Sequence, residues 1–144
     1  MRYRRVADVM LPAAQIHLLD AGDSLASGLE TARVDMHTRY PVAETPGDPA
    51  TIIGYVNVKE LVSSAGSGSP GQTVGSLVRE IPDYPETMPV AECLERLMTR
   101  RIHIALVRDH GGSVVGMLTL EDILEELVGE MESEDEGPRA GSPR

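Results

Sequence analysis

The sequence has no phenylalanine and no tryptophan, and it has only 4 tyrosines among 144 residues. Its hydrophobic core must therefore consist of aliphatic side chains and methionine, which suits helices packed on small sheets. The hydrophobic share of 41% is that of a globular chain. At this length we expect one ordinary domain, or two very small ones that share a core.

Cysteine is also scarce, since Cys93 is the only one. A single cysteine excludes an intrachain disulfide and a cysteine-based metal site, and its apolar neighbours predict a buried, unreactive thiol. Long apolar runs are missing too. No stretch of about 18 apolar residues predicts a membrane-spanning helix, and no signal peptide is recognisable. We therefore expect this chain to be soluble and cytoplasmic.

Basic residues are few, with 13 Lys and Arg against 23 Asp and Glu and a net charge of -10. This acidity argues against a nucleic-acid partner, because binding a phosphate backbone needs a basic face that releases counterions. Any anionic ligand would have to be held by local groups. The apolar periodicity stops at Met131, and residues 132–144 are expected to form an acidic, disordered tail.

What the sequence does contain is an internal repeat. The segment IIGYVNVKELV (52–62) matches VVGMLTLEDIL (114–124) at an offset of 62 positions. TRYPVAE (38–44) matches IHIALVR (102–108) at an offset of 64. This period exceeds that of the common solenoid repeats, which is about 20 to 47 residues. Two copies of a small unit are therefore expected.

Each copy predicts the element order β-α-β-β-α. VADVML (6–11) and VGSLVR (74–79) are matching leading segments, 68 positions apart. In each copy a helix, a strand, a turn and a second strand that continues into a closing helix follow. One unit is too small for a stable core, so the two should pack sheet to sheet around a pseudo-two-fold axis in an α+β fold. The predicted boundaries are a first unit at 1–62, a flexible linker at 63–73 and a second unit at 74–131.

Capping residues predict where two of the helices begin. Asp23 or Ser24 can cap the helix that starts near Leu25, because such side chains accept hydrogen bonds from the first free N–H groups of a helix. Thr87 can cap the equivalent helix of the second copy, with Pro89 in its first turn.

The turn before the last helix pairs Thr119 with Asp122, three residues apart. This is the spacing of a capping box, in which hydroxyl and carboxylate each accept a backbone N–H of the other residue. The same geometry suits a ligand, because a helix N-terminus attracts phosphate and a carboxylate one turn in can accept both hydroxyls of a ribose. Asn57 and Glu60 have the same spacing in the first copy. A cap recurs by duplication as readily as a ligand site does, so both interpretations stay open.

Four motifs of this sequence together match those of a known family. They are RRVADVMLP (4–12), TRYPVAE (38–44), GMLTLED (116–122) and LTLEDILEELVGEM (118–131). They resemble the paired CBS domains, or Bateman module, of the CorC/CNNM family of membrane-anchored magnesium and cobalt transport proteins, often called hemolysin-like. The resemblance covers residues 4–131. The stretch EDILEELVGE is specific to this family within the CBS superfamily.

The resemblance implies a regulatory module that binds an adenine nucleotide in clefts between the two units. The ligand would be AMP, ADP or ATP, the last with Mg2+, and the chain itself would hold no metal. The implied nucleotide-binding residues are Leu11, His37, Thr38, Arg39, Tyr40, Pro41, Met117, Thr119 and Asp122. An implied second site comprises Asn57, Glu60, His103, Ile104 and Ala105. At Asn57 and Glu60 the sequence departs from the family, which usually has His or Thr and Asp, and the longer Glu suits a ribose less well.

Elementary chemistry leaves two interpretations for the basic and aromatic members of this set. Arg39 can hold phosphate with two parallel hydrogen bonds, or it can form a surface salt bridge. Tyr40 can offer its ring to a purine or pack in the core. His103 stands in the second copy where Arg39 stands in the first, and with Arg100 and Arg101 it forms a second cationic wall or a solvated basic helix end.

No catalytic activity is expected. The four histidines, His17, His37, His103 and His110, lack metal-ligand spacing, and neither a G-x-S-x-G motif nor a P-loop is present. The predicted function is a nucleotide sensor for the membrane domain of a parent protein, at the cytoplasmic face of the membrane and without direct membrane insertion. The alternative is a ligand-free dimerisation scaffold. A homodimer is expected in both cases, through the apolar face of the closing helix: Ile123, Leu124, Leu127, Val128 and Met131.

Overall fold

The computed structural model describes residues 4–67 and 70–136 of the chain. Within these ranges the chain forms five α-helices, seven β-strands and three short 3₁₀ turns, at Ala13–Gln15, Pro49–Thr51 and Val74–Leu77. In chain order the main elements are α1 (Val6–Val9), β1 (Leu11–Pro12), β2 (Leu19–Asp20), α2 (Leu25–Asp35), β3 (Arg39–Ala43), β4 (Ile52–Asn57), α3 (Val58–Ser67), β5 (Asp83–Pro85), α4 (Val90–Arg100), β6 (Ile104–Arg108), β7 (Val114–Thr119) and α5 (Leu120–Glu136).

Two mixed sheets organise these elements. The first sheet has the order β2-β3-β4, in which β2 is parallel and β4 antiparallel to β3. The second has the order β1-β7-β6-β5, in which β5 and β6 are parallel and the other two pairs are antiparallel. The predicted α+β fold and the doubled β-α-β-β-α order are thereby confirmed. The first strand of each copy is β2 or β5, however, and not the leading segment as predicted, since Val6–Val9 and Val74–Leu77 are helical.

Each sheet shares a largely aliphatic core with two helices, and each core also contains one tyrosine, Tyr40 or Tyr84, which the expectation of a purely aliphatic and methionine core left out. The first core, under α2 and α3, is made of Leu19, Leu25, Ala32, Tyr40, Val42, Val56, Leu61 and Val74. The second, under α4 and α5, contains Val6, Tyr84, Met88, Val90, Cys93, Leu97, Ala105, Val107, Leu118 and Ile123. Burial of this apolar surface is the main term that stabilises two such small units.

The two leading segments are exchanged between the units. Val6 lies in the second core, and β1 pairs with β7 so that Leu11 lies opposite Met117. Conversely, Val74 lies in the first core, and its N–H donates to Asp23 O at 2.9 Å. The residues that share each core therefore do not coincide with the predicted units 1–62 and 74–131. The reason is that the apolar surface that buries each leading segment belongs to the other half of the chain.

The residues at which α2 and α4 begin refine the sequence predictions. Ser24 caps α2, since its Oγ accepts from the Ser27 N–H at 3.1 Å. Thr87 does not cap α4, whose N-cap is Pro89 without a side-chain bond; the Thr87 carbonyl instead accepts from Arg5 Nη1 at 2.6 Å. The leading segment that carries Arg5 thus contacts the backbone just before α4.

Two helices extend past their predicted ends. Helix α3 continues to Ser67, into the predicted linker at 63–73, because no proline interrupts it before Pro70. Helix α5 continues to Glu136, five residues into the predicted tail at 132–144, where neither Gly nor Pro stops it. The rest of that tail, 137–144, lies outside the described residues. Among the described helices none is both long and apolar enough to cross a membrane.

Cys93 lies inside the second core with no exposed surface. Burial raises the pKa of its thiol to about 11. The thiolate, which is the nucleophilic form, is therefore scarce at neutral pH. The predicted burial of Cys93 is confirmed, and the raised pKa of its thiol agrees with the predicted low reactivity.

Candidate functional site

The junction between β7 and α5 carries a complete capping box. The Asp122 N–H donates to Thr119 Oγ1 at 3.1 Å, and the Thr119 N–H donates to Asp122 Oδ2 at 3.4 Å. The capping interpretation of this pair is thus confirmed. Among the described residues no hydrogen bond engages the other oxygen, Oδ1, so the cap fixes the Asp122 carboxylate and leaves half of it open. Capping and ligand binding are therefore compatible roles.

This junction faces a cleft of about 400 Å³, called the first cleft below. Its wall combines both units: β1, β7 and the start of α5 on one side, the end of α2 and the start of β3 on the other. Eight of the nine residues predicted to bind nucleotide line it, namely Leu11, His37, Thr38, Arg39, Pro41, Met117, Thr119 and Asp122.

Tyr40 is the exception, and its prediction as a lining residue is wrong. Its side chain has no exposed surface, because the strand alternation turns it into the first core. Its hydroxyl donates to Ala32 O at 3.1 Å and accepts from the His37 N–H at 3.0 Å, and burial raises its pKa. The Tyr40 ring lies edge-on to the His37 ring with centroids 5.5 Å apart. Tyr40 thus supports a lining residue from behind.

Three lining residues were not predicted from the sequence: His17, Met36 and Glu121. His17 Nδ1 lies 3.1 Å from Asp35 Oδ2, and the His17 ring centroid is 5.2 Å from that of His37. No local motif marks His17, because it reaches the cleft from a loop twenty positions before His37. Glu121 sits inside the capping box and could have been found from that position alone.

Arg39 connects the first cleft to a second one. Its Nη2 donates to His103 Nδ1 at 3.2 Å, and its Nη1 lies 3.6 Å from Glu121 Oε2. Its side chain is 17% exposed, and it lines both clefts. Because its partners belong to the other unit, Arg39 forms a partly buried link between the units as well as a cationic wall.

The second cleft, of about 460 Å³, is lined by Arg39, Tyr55, Asn57, Lys59, Glu60, Ser63, Arg79, Arg101 and His103. Three of the five predicted second-site residues are in this set. Ile104 and Ala105 are not, and their prediction as lining residues is wrong, because β6 is buried on both faces and neither side chain is exposed.

The second cleft lacks the capping geometry of the first. Asn57 Oδ1 accepts from the Lys59 N–H at 2.9 Å, whereas Glu60 Oε1 accepts from Arg79 Nε at 3.1 Å. Glu60 is thus turned towards a cation of the exchanged segment rather than towards the helix start. No group of three or more His, Cys, Asp or Glu side chains in the described ranges is arranged to hold a metal ion.

Comparison with known proteins identifies similar sequences. The family model described as "CBS domain" matches residues 74–129. The magnesium and cobalt efflux protein CorC of Pasteurella multocida is 35% identical over 130 residues, which is 90% of this chain and 43% of that protein. UPF0053 protein YhdP of Bacillus subtilis is 33% identical over 133 residues, or 91% of this chain and 30% of that protein. The chain thus spans less than half the length of these relatives.

Solved structures of similar fold contain bound nucleotides. The CBS domain of a bacterial CNNM/CorC family Mg2+ transporter in complex with ATP has a TM-score of 0.80 and 29% identity, and the match covers 87% of both chains. A CBS-domain pair from Klebsiella pneumoniae with bound AMP has a TM-score of 0.73 and 26% identity, covering 87% of this chain and 98% of that one.

Proposed function

The chain belongs to the CBS-domain family and carries the domain pair of its CorC/CNNM branch, and on that premise we propose that it is a regulatory module that binds an adenine nucleotide in the first cleft. The observation that carries the proposal is the fixed Thr119–Asp122 pair at the start of α5, which faces His37 and Arg39 of the other unit across one cleft. A volume of about 400 Å³ lies within the range of small-molecule sites.

The parts of the nucleotide match different walls of the cleft. The open oxygen of Asp122 would accept the ribose hydroxyls, and Thr119 with the positive end of α5 would face a phosphate. The base would lie against the apolar and ring-bearing wall, which contains Leu11, His37 and Met117. Adenine is favoured over other bases because the similar solved structures hold ATP or AMP.

The charges of the first cleft favour a ligand with few phosphates or with a bound cation. Arg39 is its only Arg or Lys among the described residues, and it lies near Glu121, while Asp122 adds a second carboxylate. A free triphosphate would bring additional negative charge next to these groups. AMP, or ATP whose charge Mg2+ partly neutralises, is therefore preferred, and the phosphates rather than the chain would supply most of the ligands of Mg2+.

Regulation follows from the position of the cleft between the units. A ligand that touches both units can shift their arrangement only if it binds one arrangement more tightly than another. Helix α5 starts in the cleft and continues to Glu136, so it is suited to carry such a shift to a following or neighbouring domain. In a parent protein like the CorC relatives, that target would be a membrane domain that moves divalent cations, with this module at the cytoplasmic face.

A binding role is favoured over catalysis. Cys93, the only cysteine, is buried and its thiol pKa is raised to about 11, which argues against a nucleophile. The cleft contains two carboxylates, Glu121 and Asp122, and one oxygen of Asp122 already accepts a backbone N–H. A cap of this kind suits a fixed hydrogen-bond acceptor better than a mobile acid or base.

The decisive experiment is a thermal-shift and calorimetric titration with AMP, ADP and ATP, each with and without Mg2+, on the unaltered chain and on Asp122→Asn. We expect nucleotide to stabilise the unaltered chain by about 2 to 3 kcal/mol at a hundredfold excess over Kd. Asp122→Asn should fold and lose this stabilisation, because an amide is a weaker acceptor for ribose hydroxyls than a carboxylate.

The matched control is Asp8→Asn. Asp8 also accepts an N-cap backbone N–H, that of Arg5 at 2.9 Å, but it lines neither cleft. This variant should keep nucleotide binding. If no nucleotide stabilises the unaltered chain, Thr119 and Asp122 act only as a helix cap and the sensor function is refuted.

The outer face of α5 favours a second candidate, a dimerisation scaffold. Leu124, Val128 and Met131 are 45%, 53% and 67% exposed along one helix, an unusual arrangement for a surface that stays in water. Burying this stripe against a second copy would give a homodimer whether or not nucleotide binds. A homodimer and a nucleotide sensor are compatible. Nucleotide binding would refute only the hypothesis that the chain is a scaffold without a ligand.

A further inference from the structure

We propose that the second cleft binds a di- or triphosphate group without a nucleoside. The chain as a whole carries a net charge of -10, yet this cleft gathers four cationic side chains, Arg39, Lys59, Arg79 and Arg101, around one carboxylate, Glu60. A concave site lined by one sign of charge concentrates ions of the opposite sign. The cleft is thus an anion site within an acidic protein.

The repeat shows that this charge is specific to the second cleft. Leu11 lies opposite Met117 in the first cleft, and Arg79 exchanges backbone hydrogen bonds with Tyr55 in the second. Tyr55 and Met117 stand 62 positions apart, as the repeat requires. At structurally equivalent places, then, one cleft has an apolar side chain and the other has an arginine.

Two more equivalent pairs change in the same direction. Met36 and Arg101 end α2 and α4, both with left-handed backbone at φ 60° and 57°. Glu121 and Lys59 are the second residues of α5 and α3. In each pair the first cleft holds the apolar or acidic residue and the second cleft the basic one. The two clefts have therefore diverged towards different ligands.

The cations available to an anion are Lys59 and Arg101. Neither makes an ion pair or a side-chain hydrogen bond with any other residue in the described ranges, whereas Arg79 is paired with Glu60 at 3.1 Å. Arginine offers a planar set of donors that matches phosphate oxygens, and lysine adds a mobile point charge. The free cations thus match an anion with more than one phosphate.

A nucleoside fits the second cleft poorly because of the position of Glu60. The acceptor that would take the ribose hydroxyls, Glu60, is held by Arg79 instead of being fixed at the helix start. The shared chemistry is therefore a chain of phosphates. It could belong to a separate inorganic anion, or to the terminal phosphates of a nucleotide in the first cleft that extend past Arg39, which lines both clefts.

Calorimetric titrations with sodium pyrophosphate, AMP and ATP, all without Mg2+, test this proposal on the whole chain and on the double variant Lys59→Gln/Arg101→Gln. The matched control is Arg33→Gln/Arg96→Gln, which removes the same number of charges from exposed positions outside both clefts. We expect the affinity for pyrophosphate or ATP to fall about tenfold or more in the Lys59/Arg101 variant, and less than about twofold in the control.

The two sources of phosphate give different results. A separate anion is indicated if pyrophosphate binds and AMP does not displace it. The terminal phosphates of a nucleotide are indicated if the Lys59/Arg101 variant loses affinity for ATP but not for pyrophosphate. In both cases AMP affinity should be unchanged. The proposal is overturned if neither pyrophosphate nor ATP binds the unaltered chain, or if both bind the Lys59/Arg101 variant as tightly as they bind the Arg33/Arg96 control.

Chemical-shift mapping on the unaltered chain provides a second readout that needs no variant. Pyrophosphate should move the amide signals of Lys59 and Arg101 before those of Thr119 and Asp122, and movement at Thr119 and Asp122 alone contradicts the proposal. The proposed nucleotide function fails separately, since it requires an adenine nucleotide to bind in the first cleft, whereas binding of pyrophosphate in the second cleft does not.

Discussion

Gly54 and Gly116 stand at matching positions of β4 and β7, where an exchanged segment crosses each strand. A Cβ on Gly54 would lie 2.2 Å from Val78 Cγ1 and 2.3 Å from Arg79 O. On Gly116 it would lie 2.6 Å from Leu11 O. Glycine is therefore required at these two positions because a backbone passes too close for any side chain.

Gly54→Ala should lower the free energy of unfolding by about 1 to 3 kcal/mol, because the added methyl group must displace the Arg79 backbone. Urea denaturation followed by circular dichroism measures this change. The control is Gly129→Ala in α5, where a Cβ would meet nothing within 4 Å. That substitution should instead stabilise the chain by up to about 1 kcal/mol through helix propensity. Equal stability of the two variants would contradict the close approach at Gly54.

At the same scale, Asp122 shows why a capping pattern does not exclude a functional residue. The cap orders the carboxylate before any ligand arrives, so less side-chain entropy is lost on binding. A motif that stabilises the helix is thus also a means of preorganising the proposed ribose contact.

At the scale of elements, α5 has two different faces. Ile123 is fully buried in the second core and Leu127 packs against that core, so the prediction that they belong to a dimer face is wrong, whereas Leu124 and Val128, on the outer face, are about half exposed. The helix begins in the first cleft, so its outer face connects the proposed ligand site with the proposed dimer surface. A change at one of them could therefore be felt at the other.

Leu124→Gln/Val128→Gln should convert a dimer to a monomer, because it removes exposed apolar surface without adding charge to an acidic chain. Size-exclusion chromatography with light scattering gives the mass directly. Ile53→Gln is the control, since Ile53 on β4 is 43% exposed but lies outside α5. A dimer that persists in the α5 variant, or an unaltered chain that is monomeric, would exclude this surface as the interface.

At the scale of the whole molecule, the exchange of leading segments makes the two units depend on each other. The second core needs Val6 from the start of the chain, and the first core needs Val74 from the second copy. Neither sequence copy therefore contains its complete core. We expect the two units to unfold in one cooperative transition.

Fragments cut after residue 69, namely 1–69 and 70–144, should each be largely unfolded alone, because each would expose the surface that the missing segment covers. Mixed in equal amounts they should regain the circular dichroism and melting transition of the intact chain. A fragment that melts cooperatively by itself, at the temperature of the intact chain, would show that the exchange does not couple the units.

The local features were predictable from sequence. The β-α-β-β-α order, the Ser24 cap and the Thr119–Asp122 box depend on hydrophobic period and on backbone groups within a few residues. Most residues of the first cleft were predicted from the family resemblance, because its motifs are short contiguous segments that contain them. Tyr40 was misplaced because the motif shows which residues are near a cleft, whereas strand alternation decides which face they take.

The sequence by itself determined that the chain is a duplicated aliphatic α+β unit with a capped carboxylate at the start of its last helix. Only the tertiary structure decided that the leading segments are exchanged, that Arg39 lies between two clefts, and that Arg79 and Arg101 meet in one of them. The reason is physical. Local patterns follow from the period of the backbone, whereas these contacts join positions far apart in the chain and form only when the burial of two distant apolar surfaces brings them together.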